Sequence, residues 1–129
     1  MIFLDTNYLV SYFIATEKHH KKALEISKEI KGRNQIISRL IIAETVNVLY
    51  HKLKLDMGKI KEVYNKLNKN YTLIEDHYFY DKTLEIMDPK KRLPFFDYVF
   101  ITLMKETGIE EIVSFDKHFD NINGIRKLH

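Results

Sequence analysis

Four acidic residues in this chain stand where a carboxylate is costly. Asp5 ends the apolar run Ile2-Phe3-Leu4, and Asp116 ends Ile112-Val113-Ser114-Phe115. Glu44 interrupts Leu40-Ile41-Ile42-Ala43 and Thr45-Val46, while Asp97 lies between Phe95-Phe96 and Tyr98-Val99-Phe100-Ile101. Each acid has a local use. Asp5 and Asp116 can cap the helical turns that follow them, each worth about 1 kcal/mol. Asp97, just after Pro94, suits the positive end of a helix dipole. Glu44 is harder to place locally, because a mid-helix carboxylate on an apolar element needs a partner. Asn47 and His51 follow it one and two turns later, which suggests a polar stripe. The four together carry more information than any one. Like charges about 4 Å apart repel by roughly 4 kcal/mol at an effective dielectric near 20. A cluster of them must therefore take up protons or hold a hard cation. Oxygen donors, in a chain without cysteine, favour Mg²⁺ or Mn²⁺ over zinc. Such ions activate water and polarise phosphoryl groups, the chemistry of nucleases and phosphatases.

The elements that must position these acids follow from periodicity. The short apolar run at residues 2–4 predicts a buried parallel strand, residues 36–37, 71–74 and 112–115 three more strands, and residues 125–128 a fifth, at the edge. Helical spacing predicts helices over 17–31, 39–53, 56–69, 77–88 and 94–105. Ser38 can cap the second of these, and Gly108 can close the last. The helix over 39–53 is apolar nearly all round and is expected to be buried on most sides. Strands alternating with helices imply a three-layer α/β/α fold around a mainly parallel central sheet of four or five strands. Ligands in such sheets bind beyond the carboxyl ends of the strands, which is where Asp5 and Asp116 fall.

At these residues the sequence resembles the PIN-domain family, and within it the VapC-type toxin ribonucleases. Leu4-Asp5-Thr6-Asn7, Ala43-Glu44, Phe96-Asp97-Tyr98-Val99-Phe100-Ile101 and Ser114-Phe115-Asp116-Lys117-His118-Phe119 carry the likeness, with Ser114 where the family has threonine. The resemblance implies one PIN domain over residues 1–129 with a PIN-like fold. It also implies an endoribonuclease dependent on Mg²⁺ or Mn²⁺ that hydrolyses RNA phosphodiester bonds as the toxin of a toxin–antitoxin pair. Asp5, Glu44, Asp97 and Asp116 become the catalytic and metal-binding acids, and Asn7 and Ser114 the polar neighbours that orient them. A small antitoxin and a second copy of the chain are the implied partners. Two other readings stay open: a PIN nuclease of RNA processing or structured DNA, and a non-catalytic PIN-like interaction module.

Length and composition set the outer bounds. At 129 residues, with 45% hydrophobic and 30% charged side chains, the chain fits one domain with one core. Its apolar runs are far short of the roughly 20 residues of a membrane span, and Asp5 breaks any signal-peptide run, so a cytoplasmic protein is expected. The net charge of +3 permits a polyanionic partner. Lys90-Lys91-Arg92, immediately before the Asp97 helix, is the candidate contact for RNA phosphates. The six histidines show no ligand spacing and read as surface; so does Lys52. No phosphate-binding glycine loop, nucleophile elbow or receiver-type strand-end lysine is present.

Overall fold

The computed structural model describes residues 1–129. Five short strands form one sheet: β1 (Ile2–Leu4), β2 (Gln35–Ser38), β3 (Thr72–Ile74), β4 (Glu111–Val113) and β5 (Arg126–Leu128). All pairings are parallel, in the order β3-β2-β1-β4-β5. Central β1 is fully buried, as a strand covered on both faces must be. Six helices surround the sheet: α1 (Thr6–Phe13), α2 (His20–Glu29), α3 (Arg39–Asn47), α4 (Met57–Asn70), α5 (Tyr80–Ile86) and α6 (Phe95–Thr107). From β1 the chain steps outward to β2 and β3, then returns across the sheet to β4. Right-handed crossovers therefore place α1–α4 on one face and α5–α6 on the other. The packing agrees: α1 touches α2 and α3, α3 touches α4, and α5 packs on α6. Across the second interface, the rings of Phe3 in β1 and Phe100 in α6 lie 5.4 Å apart. The result is the expected three-layer fold, with the sheet parallel throughout.

Three departures from the periodic reading have physical causes. Residues 6–13 form a full helix, which Asp5 as a cap allows but the apolar periodicity does not mark, because Tyr8, Val10, Tyr12 and Phe13 favour strands. Burial of Tyr8, Leu9 and Val10 and the Asp5 cap decide the matter. The helix expected over 39–53 is α-helical only to Asn47 and continues as a wider π turn, Val48–Lys52. Nor is it buried on most sides. Ala43, Asn47 and Tyr50 are exposed, and with Tyr64 of α4 they line an open groove of about 550 Å³. The expected polar stripe is consequently absent: Asn47 faces this groove, His51 faces solvent, and Glu44 faces neither.

Helix α3, which carries Glu44, is pinned at its start twice. Ser38 Oγ accepts from the Ile41 amide at 3.3 Å, as anticipated. A second cap comes from afar: buried Asp76, in the 3₁₀ turn Asp76–Phe79, accepts from the Leu40 amide at 2.7 Å. Its other oxygen accepts from the Tyr80 hydroxyl at 3.1 Å. Replacing Asp76 by alanine leaves the half-buried Leu40 amide and Tyr80 phenol without their partner, a cost of about 1–3 kcal/mol. Asp76→Ala is expected to lower the melting temperature by about 5 °C or more, and Tyr80→Phe, which breaks one bond, by less. Thermal circular dichroism at pH 5, where Glu44 is protonated, checks this; an unchanged midpoint in Asp76→Ala would contradict the tether.

Candidate active site

The sheet order reverses at β1, with β2 on one side and β4 on the other. At such a switch point the loops leaving neighbouring strands diverge and open a crevice. Asp5, Glu44, Asp97 and Asp116 all line that crevice, together with Thr6, Asn7, Glu17, His19 and Lys52. Asp5 leaves β1 and caps α1, accepting from the Thr6 amide at 2.8 Å. Asp116 follows β4 and caps the 3₁₀ turn Lys117–Phe119, accepting from the His118 amide at 2.9 Å. The local capping role and the shared crevice therefore coexist. Asp97 points in from the first turn of α6 and Glu44 from the middle of α3.

Ser114 and Asn7 knit the two strand ends together. The fully buried Ser114 hydroxyl donates to Asp5 Oδ2 at 2.7 Å and accepts from the Asp116 amide at 3.0 Å. The Asn7 amide nitrogen donates to Ser114 Oγ at 3.3 Å and Asp5 Oδ2 at 3.4 Å, while its carbonyl accepts from the Phe115 amide at 3.0 Å. On the far side, Thr6 Oγ1 donates to Glu44 Oε1 at 3.4 Å. From β5, Lys127 Nζ donates to the Asp116 carbonyl at 3.1 Å and pairs with Asp120 at 2.5 Å. Asp120 is thus an exposed surface acid, occupied outside the crevice.

Burial, and to a lesser extent the crowding of the carboxylates, perturbs their protonation. Burial raises Asp5 to about 6, with smaller upward pushes from Asp97 and Asp116, against hydrogen bonds from Ser114 and Thr6. Burial also raises Glu44 to about 7, reinforced by the charges of Asp5 and Asp97. Asp97 is raised by burial, opposed by its hydrogen bond and charge interaction with His118. Strongly perturbed carboxylates sharing one cleft mark a functional site.

The sequence matches the PIN domain family over residues 2–125. The chain is a PIN-domain protein. Its PIN fold is shared with VapC20 of Mycobacterium tuberculosis, a toxin that cleaves the sarcin–ricin loop, at TM-score 0.76 and 17% identity over 90% of each chain. A toxin–antitoxin complex from Klebsiella pneumoniae matches at TM-score 0.70 and 18% identity, over 98% of this chain and 96% of that one. PAE2754 from Pyrobaculum aerophilum matches at TM-score 0.68 and 19% identity, over 98% of this chain and 87% of that one. No curated protein matches the chain by sequence. No helix is long and apolar enough to cross a membrane.

Two histidines and a lysine belong to the PIN crevice although the sequence pattern assigned them to the surface. His118 Nδ1 lies 2.6 Å from Asp97 Oδ2 and 3.3 Å from Asp116 Oδ2. Its position two residues after a capping Asp folds the ring back over the site, a signal that the Asp116-Lys117-His118 spacing did contain. His19 and Lys52 arrive through tertiary placement, Lys52 at the end of the π turn. By contrast, none of Lys90, Lys91 and Arg92 lines the crevice; Lys91 borders a separate cleft with Asp88, Tyr98 and Lys105. The donor set fits a divalent cation: Asp97, Asp116 and His118 each offer a ligand atom, all within 4.8 Å of one another. Carboxylates dominate it, which suits a hard ion.

Because these acids are raised in the folded chain, the native state holds protons between about pH 4 and pH 7 that the unfolded chain has released. Their contribution to stability is complete below the unfolded values and is lost as pH rises through about 6 and about 7. Glu44→Gln removes one of the two groups. In metal-free solution this variant is expected to melt about 3 °C or more above the parent at pH 8 and close to it at pH 5. Differential scanning calorimetry at both pH values checks it; a variant less stable than the parent at pH 8 would refute the cost of charging Glu44 in this buried, acid-lined crevice.

Proposed function

We propose that this PIN-domain protein is a divalent-metal-dependent endoribonuclease, the toxin of a toxin–antitoxin pair, acting as a single domain in the cytoplasm. The observation that carries this reading is the meeting of four carboxylates, from two strand ends and two helices, in one crevice. A binding module gains nothing from mutual repulsion of this kind, whereas a phosphodiester hydrolase uses it to attract a cation. The fold shared with a sarcin–ricin-loop-cleaving toxin and with a toxin–antitoxin complex supports the RNA substrate and the small antitoxin.

In this reading Asp5 and Asp116, on rigid strand ends, hold Mg²⁺ or Mn²⁺, and Asp97 and Glu44 complete the site directly or through water. The ion, when bound, supplies Lewis acidity toward the phosphoryl oxygen and makes water a stronger acid. The protein's own groups do the rest. Ser114 and Asn7 fix the Asp5 carboxylate, so that its free lone pairs face the crevice. Glu44, held at Oε1 by Thr6 and raised to about 7 by burial and the charges of Asp5 and Asp97 while no cation is bound, is the acid whose charged form a cation in the crevice would favour most. Lys52 brings positive charge to a crevice otherwise rich in carboxylates, where the substrate phosphate must sit. Lys90, Lys91 and Arg92 extend a phosphate-binding surface outside it.

Cleavage of single-stranded RNA with Mn²⁺ is expected to be abolished by EDTA, and Asp97→Asn to slow it about a hundredfold or more, the scale of losing one charge-stabilising group. Gel assays with RNA and with flap DNA decide this. Absence of EDTA-sensitive cleavage would leave an interaction module, and preference for DNA would leave another class of PIN nuclease. Neutralising Lys90, Lys91 and Arg92 is expected to flatten the salt dependence of RNA binding; an unchanged slope in fluorescence anisotropy would remove that loop from the interface. Light scattering tests the homodimer, and a short upstream gene for a DNA-binding protein would identify the antitoxin.

A further inference from the structure

We propose that His19, stacked on Phe115 at the mouth of the acidic crevice, is the platform on which an RNA base stacks beside the reacting phosphate. The inference rests on the ribonuclease reading and deepens it. The crevice presents five carboxylates, those of Asp5, Glu17, Glu44, Asp97 and Asp116, against the single lysine Lys52. Beyond the one phosphate that a bound cation and Lys52 would hold, charge gives an RNA strand little grip on this crevice. Stacking is indifferent to that repulsion and tolerant of sequence, because every base has a π-face.

The geometry supplies a stacking surface where it is needed. The rings of His19 and Phe115 lie 4.6 Å apart and 27° from parallel, so Phe115 covers one face of an otherwise exposed imidazole. Although His19 is the residue before α2, its side chain makes no capping hydrogen bond. Its neighbour His20 is committed elsewhere, with Nδ1 2.7 Å from the Ser11 carbonyl. The backing ring is held firmly. The Phe115 amide donates to Asn7, its ring packs 6.5 Å from that of Tyr8, and it sits in sequence between Ser114 and Asp116. A base lying on His19 therefore sits beside the residues that fix Asp5 and Asp116.

The test measures kcat and KM of the full chain on single-stranded RNA with Mn²⁺, and in parallel the fluorescence of short RNAs carrying 2-aminopurine, an adenine analogue quenched on stacking. His19→Ala is expected to raise KM about tenfold, the loss of one base–aromatic stack, with kcat little changed. His19→Tyr restores KM and His19→Lys does not. In the Asp97→Asn chain, whose cleavage is expected to be about a hundredfold slower so that binding is read before cutting, quenching appears with His19 or with His19→Tyr and disappears in His19→Ala. An unchanged KM in His19→Ala, rescue by lysine as complete as by tyrosine, or quenching that survives His19→Ala would each overturn the platform while leaving the nuclease intact. Absence of RNA cleavage by the parent chain would overturn the nuclease reading instead; the quenching of bound RNA then still decides the stack.

Discussion

One buried hydroxyl holds the crevice together. Ser114 uses its single proton on Asp5 and both lone pairs on the Asp116 amide and the Asn7 side chain, which is the full capacity of a hydroxyl. It thereby couples the loop after β1 to the loop after β4 across the point where the sheet changes direction. Threonine, the family's residue here by resemblance, offers the same hydroxyl. The architecture around it serves that coupling. β1 and β4 are rigid because they are covered on both faces, and rigid strands let acids that would otherwise splay apart be held close.

The electrostatic consequence is a site assembled against its own repulsion. Desolvation and neighbouring charge push Asp5 and Glu44 upward, and His118 offsets part of the same pressure on Asp97. The folding energy that tolerates this arrangement comes from elsewhere, above all from the 28 buried apolar side chains packed between the sheet and its two helix layers. Function and stability thus draw on different residues, as is usual where a local rule is broken at a site and satisfied around it.

How much of this was legible in the sequence depended on whether the signal was local. Carboxylates ending apolar runs, as at Asp5 and Asp116, or interrupting them, as at Glu44 and Asp97, cannot be ordinary core, so their gathering could be read from type and position. The alternation of strands and helices gave the layers for the same reason. Helix α1 was obscured because its aromatic and β-branched residues speak for a strand, and only the sheet it packs on overrules them. His19 and Lys52 could not be placed, since the loop before α2 and the π turn bring them in and neither leaves a 3.6-residue trace. Asp76 lay hidden among polar neighbours, its role depending on Leu40, far away in the chain.

The outermost strand reaches further inward than its place at the edge suggests. Through Lys127 it grips the Asp116 carbonyl, and through the Leu128 carbonyl it accepts the Ser114 amide at 3.1 Å. The last few residues of β5 therefore act as a buttress for the reactive loop. Anything that peels this strand away, whether an added tail or a binding partner competing for the sheet edge, would loosen the acids without touching one of them.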